Sequence, residues 1–121
     1  MAVRHKLQKL IGPVAWVPVD HPWRGQISRA LVRGRRQLVI DLEEAGWEYS
    51  VHLERADGDL FRGSWTCQDG SRTETGSASA RLYTSGDGSL LLFGDWVQNG
   101  DRSHWWAELT AVEHFPDEVQ D

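Results

Sequence analysis

The sequence predicts an all-β chain, a single-domain antiparallel meander of six to eight short strands with a barrel-like form. Three observations predict it. Turn-type glycines fall at Gly46, Gly58, Gly70, Gly88 and Gly100, with three gaps of 12 residues and one of 18; this is the spacing of short strands joined by tight turns. The segments between them alternate apolar and polar residues, so that hydrophobic faces match when neighbours fold back. No helix-sized amphipathic segment intervenes, which argues against the crossovers that parallel strands need.

The elements follow in order. Residues 1–12 can form a short amphipathic helix or arm through Val3, Leu7, Leu10 and Ile11, ending at Gly12-Pro13. Val14 to Val19 reads as an extended edge segment, because Pro13 and Pro18 cannot donate ladder hydrogen bonds. Asp20-His21-Pro22 reads as a turn. Gln26 to Val32 is ambiguous: Ile27 and Leu31 suit a helical face, whereas Ser28, Ala30 and Val32 suit a strand face. The downstream pattern favours a strand, with a turn over Arg33 to Arg36.

From Gln37 the pairing can be written residue by residue. A two-residue loop at Ala45-Gly46 sets Leu42 against Tyr49, Ile40 against Val51 and Leu38 against Leu53. A three-residue loop at Ala56-Asp57-Gly58, with Gly58 left-handed, sets Leu53 against Phe61, Val51 against Gly63, Tyr49 against Trp65 and Trp47 against Cys67. The opposite face carries Asp41, Glu43, Glu48, His52, Glu54, Arg62 and Thr66 and is expected to be wet. Thr75 to Tyr83 presents Gly76, Ala78, Ala80 and Leu82 to the core; these small residues either receive tryptophan rings or leave a hollow. Asn99-Gly100 is the strongest hairpin signal in the chain, a type I′ turn. It sets Gly94 against Trp105, Leu92 against Ala107 and Leu90 against Leu109, with Phe93 against Trp106 and Asp95 against His104 on the other face. That second face is covered either by the N-terminal segment or by a partner. The acidic tail, residues 116–121, is expected to fray.

Composition bounds the rest. A chain of 121 residues, 40% hydrophobic and 26% charged, is ordinary for one globular domain. Seven tryptophans are not ordinary, and mark either a large aromatic core or a binding surface. The net charge of −5 is uneven. Residues 1–36 hold eight Lys/Arg against one acid, and residues 37–121 hold five against 17. The basic part lacks the interleaved aromatics of a nucleic-acid motif, so a nucleic-acid partner is not expected. No apolar run reaches transmembrane length, and the early charges with Pro13 do not make a signal peptide. Cys67 is the only cysteine; a buried structural thiol in a reducing, cytoplasmic setting is the expectation.

Gly63-Ser64-Trp65 carries a resemblance. With the meander over residues 37–112, it resembles the calycins, meaning lipocalins, fatty-acid-binding proteins and avidins, which share a Gly-x-Trp motif on an antiparallel barrel. Gly94-Asp95-Trp96 repeats the motif. The resemblance implies a barrel, a small apolar ligand, and a late basic residue packed over the tryptophan, for which Arg102 is the candidate. The motif lies mid-chain here, whereas calycins carry it on the first strand.

The functional expectations are ranked. The first is a non-enzymatic barrel binding a small apolar ligand through Tyr49, Phe61, Trp65, Ala78, Trp96 and Trp105. The second is a protein-interaction or homo-oligomeric module using Leu91, Phe93 and Trp106. The third is a hydrolase-like site at Asp95 and His104, with Glu108 nearby; a carboxylate beside an imidazole can orient it, but no nucleophile accompanies the pair. No phosphate-binding loop, nucleophile elbow or metal-ligand spacing occurs, so neither cofactor nor metal is expected.

Overall fold

A computed structural model describes residues 7–17, 23–34, 36–44 and 46–115 of the chain. Eight strands run in sequence order: β1 (Leu7–Val17), β2 (Trp23–Arg33), β3 (Gln37–Glu44), β4 (Trp47–Asp57), β5 (Leu60–Asp69), β6 (Arg72–Thr84), β7 (Leu90–Gln98) and β8 (Asp101–Ala111). Each pairs antiparallel with the next, and β8 returns to β1, closing the sheet into a barrel. The turn glycines punctuate the meander as their spacing predicts. Gly46, Gly58, Gly70, Gly88 and Gly100 all have positive φ, and Gly34 joins the series one turn earlier.

Closure corrects two expectations at the N-terminus. Residues 7–12 are strand, not helix, and residues 1–6 lie outside the described part. Val14 to Val17 is not an edge, because β1 pairs with both β2 and β8. Pro13 is accommodated where the β1–β8 pairing skips from Ile11 to Val14. The turn expected at Asp20-His21-Pro22 and the tail 116–121 also lie outside the described residues.

The β2 ambiguity has a physical origin. Ser28 is an extra residue opposite both neighbours, a β-bulge. It switches the inward row from Ile27 to Ala30 and Val32, which are buried, and leaves Ser28 exposed. Neither a clean period of two nor a helical period fits a strand that changes phase.

The β3–β4 and β7–β8 registers match the predicted pairs throughout. Asn99 and Gly100 have φ of 54° and 79°, as a type I′ turn requires. The β4–β5 register is corrected by two residues. Leu53 faces Gly63, Val51 faces Trp65 and Tyr49 faces Cys67. The turn is Gly58-Asp59, closed by Asp57 opposite Leu60, and the extra residue is Ala56, bulged between Arg55 and Asp57. The same apolar face results because a slip of two preserves the side on which every residue points.

Inward rows from all eight strands make one core, from Leu10, Val14 and Trp16 of β1 round to Trp105, Ala107 and Leu109 of β8. An eight-stranded barrel has an interior that side chains can fill. The outward face of β3–β5 is exposed at Glu43, Glu48, His52, Glu54, Arg62 and Thr66 and half-buried at Asp41, as expected.

Candidate functional site

The interior of the barrel is occupied by aromatic rings. Trp65 and Trp96 stack with centroids 5.1 Å apart and planes 10° from parallel. Tyr49 tilts against Trp65 at 5.7 Å and against Trp96 at 5.9 Å. Trp105 meets Trp96 edge-on at 5.5 Å. Trp16 closes the cluster, 5.4 Å from Trp96 and 6.0 Å from Tyr49. Edge-to-face and offset contacts at these distances are favourable beyond the area they bury.

Glycines make room for these rings. Gly76 is the cross-strand partner of Trp65, and a Cβ there would strike the Trp65 ring and the carbonyl oxygen of Val97. Trp65 therefore lies across Gly76, and its Nε1 donates to that Val97 oxygen at 3.1 Å. At Gly94 it is backbone that takes the room. Trp105 is opposite Gly94, a Cβ on Gly94 would collide with the Ser79 carbonyl, and Trp105 Nε1 donates to the same oxygen at 2.9 Å. The glycine within Gly63-Ser64-Trp65 acts as Gly94 does, its missing Cβ admitting the backbone of His52 and Leu53.

Of the residues predicted to line a cavity, Tyr49, Trp65, Trp96 and Trp105 come together. Ala78 is the cross-strand partner of Trp96. Phe61 is buried elsewhere, in the row that leads to the opposite mouth. Trp16 is hidden from sequence reasoning by the prolines around it, which mark an edge in an open sheet. Its Nε1 is buried and has no hydrogen-bond partner among the described residues.

The predicted interface residues sit on the outside. Phe93 is paired with Trp106 and Arg81, and Leu91 with Glu108 and Tyr83. Val17, Tyr83, Leu91 and Phe93, the large hydrophobics most exposed among the described residues, are 42% to 51% exposed. Tyr83 on β6, Leu91 and Phe93 on β7 and Val17 on β1 all lie on the outward side, with Trp106 and His104 of β8 between β7 and β1. Trp106 is half-buried between Phe93 and Ala15. β1 forms one edge of this face through Val17 and does not lie over it.

Among the described residues two polar constellations include a histidine. His104 Nδ1 lies 3.1 Å from Asp95 Oδ1, with both side chains largely solvated, and the imidazole stacks on Phe93. On the far outer face Ser50 Oγ donates to Asp41 Oδ1 at 3.1 Å and lies 3.4 Å from His52 Nε2. The serine stands between acid and imidazole, whereas an activated nucleophile needs the imidazole between them. Arg102, the candidate for packing over the motif tryptophan, is exposed beside Val97; among the described residues the cations over rings are Lys9 and Arg29, both on Phe115. Among the described residues no group of three or more His, Cys, Asp or Glu could hold a metal ion, and no helix is long and apolar enough to cross a membrane.

Comparison of the chain with models of known protein families gives no match. A search among curated proteins gives none either.

Proposed function

We propose that this chain is a non-enzymatic barrel that works as a homo-oligomeric interaction module through the outward face of β6, β7, β8 and β1. The observation that carries this reading is the gathering of Val17, Tyr83, Leu91 and Phe93 on that one face, beside the half-buried Trp106. Contiguous apolar surface of this kind on a folded domain marks an interaction site. A second copy is the occupant favoured by charge. Arg81 flanks Phe93 and Glu108 flanks Leu91, at opposite corners of the patch. A two-fold related copy can set each against the other, which is how self-complementary interfaces form. Cys67, the chain's single cysteine, is buried, which suits a reducing compartment, and a cytoplasmic location goes with the proposal. The closed meander with its Gly-x-Trp units is compatible with a calycin-like barrel, and kinship with that group is part of the same reading.

Analytical ultracentrifugation tests it. The native chain should sediment as a dimer, and the double change Phe93→Ser with Trp106→Ser as a monomer with unchanged circular dichroism. A native monomer at the highest soluble concentration overturns the proposal. Unfolding of the double variant would mean that the two rings hold the barrel together instead.

A second reading, a small apolar ligand held by Tyr49, Trp65, Ala78, Trp96 and Trp105, has one observation in its favour. The unpartnered Nε1 of Trp16 is a buried donor that a ligand carbonyl could satisfy, and an unmet donor costs about 1–3 kcal/mol. The stacked rings must part to admit such a ligand. Titrating small aromatics and retinoids should then change tryptophan emission saturably; flat titrations would leave the interior a core alone.

A further inference from the structure

The mouth of the barrel away from the tryptophans has a chemistry of its own. The inward row of β3 runs Leu42, Ile40, Leu38, all buried, and one step further in the same phase is Arg36. The inward row of β4 runs Val51, Leu53, and then Arg55. Two neighbouring core-facing rows thus lead out to exposed arginines at one end of the barrel, Arg36 in the turn before β3 and Arg55 within β4. The backbone holds them side by side, with Arg55 N donating to Arg36 O at 2.8 Å. Arg55 is further fixed by its own Nε, which donates to Gly58 O at 2.8 Å. Arg33 reaches the same place from β2, its carbonyl accepting from Arg36 N at 3.0 Å.

These three arginines line one cleft with Gly34, Gln37, Glu54 and Asp57. A second cleft, sharing Arg55 and Gly58, is lined by Val32, Phe61, Leu82, Thr84 and Asp59. Arg55 therefore joins a cleft rimmed by arginines to one floored by Val32, Phe61 and Leu82. None of the three guanidiniums forms an ion pair among the described residues, although Glu54, Asp57 and Asp59 border the clefts. Arginine is suited to binding an anion here, since its planar fork matches carboxylate and phosphate oxygens.

We infer that this mouth binds a single-chain amphiphile with an oxyanion head, carboxylate or phosphate, the head between Arg36 and Arg55 and the start of the chain on Val32, Phe61 and Leu82. Arg33 adds charge from the rim, and Thr84 offers a hydroxyl. The site lies at the opposite end of the barrel from the Trp16 cluster, and it does not depend on the outer patch that the dimer would use.

Isothermal titration of the full chain with decyl phosphate and decanoate, both kept monomeric, tests the inference against inorganic phosphate and decanol. At least one of the two amphiphiles should bind one per chain, and at least about tenfold tighter than inorganic phosphate or decanol, since head and chain both contribute. The tighter of the two identifies the head. Arg36→Gln should weaken binding at least about tenfold with the melting temperature retained, and Leu82→Gln should weaken it through the chain. Arg102→Gln removes the same charge at the far end of the barrel and should bind as the native chain does. Absence of saturable heat with both amphiphiles overturns the inference. So does inorganic phosphate binding as tightly as they do, unchanged affinity in Arg36→Gln, or an equal loss in Arg102→Gln.

Discussion

Gly94 shows how one missing side chain can matter to several strands. It is paired with Trp105 on one side and Ala80 on the other, and the space of its Cβ is taken by the backbone of Ser79 and Ala80. Backbone cannot swing aside as a side-chain tip can, so Gly94→Val must displace β6 and disturb the Trp105 bond to Ser79. Overpacking typically costs about 1–3 kcal/mol, and chemical denaturation should place this variant at the upper end. A neutral result would mean that β6 and β7 do not approach as described. Asp87 is the other residue with a distinct signature. Its Oδ1 accepts from Ser85 Oγ, from Ser89 Oγ at 2.7 Å and from Ser89 N at 3.0 Å. These bonds, the Ser85 hydroxyl first, hold its pKa down to about 2 from 3.8. The loop interactions are therefore fully present above the ordinary carboxylate value and are lost as pH falls through about 2. A carbon-detected titration of the Asp87 carboxyl should show that low midpoint, and Ser85→Ala should raise it.

Among the elements, the stretch after β8 behaves least as its sequence suggests. Val112 N donates to Lys9 O at 2.9 Å, continuing the β8–β1 closure beyond the strand. Phe115 then comes to rest 2% exposed, under the Lys9 ammonium at 5.2 Å and the Arg29 guanidinium at 4.6 Å from its ring centroid. It is not part of the barrel core. It is a clasp over the outside of β1 and β2, beside the seam at which the first and last strands meet. Phe115→Ala removes both the buried ring and the two cation contacts. Aromatic truncations cost about 3–5 kcal/mol, and the flexible cations can settle into the gap, so a loss of about 3 kcal/mol is expected in equilibrium unfolding. A loss under about 1 kcal/mol would mean that the clasp is dispensable. Nothing local announces this role, since a lone phenylalanine beside an acidic tail reads as the end of a domain.

The whole barrel has two unlike ends and one unlike side. Aromatic rings fill it towards the turns at Gly46, Gly70 and Gly100, arginines rim it towards the turns at Gly34, Gly58 and Gly88, and apolar side chains face out from β6, β7, β8 and β1. The sequence by itself determined the strands from Gln37 onward, their turns and most of their inward rows. Those are local matters: a period of two in side-chain direction, a glycine where φ must be positive, an Asn-Gly that admits one hairpin. It also singled out Phe93 and Trp106 as a second apolar face, because a hairpin with a known turn dictates both of its sides. The tertiary structure alone decided the bulges at Ser28 and Ala56, the meeting of β1 with β8, the reach of Trp65 and Trp105 across glycines to carbonyls two strands away, and the company that Trp16 and Phe115 keep. Each of these depends on the stagger summed around all eight strands, and a closed sheet has one solution for that sum. A pair of neighbouring strands carries only its own share of the stagger. Residues that meet across the closure are therefore invisible to any reading that proceeds hairpin by hairpin.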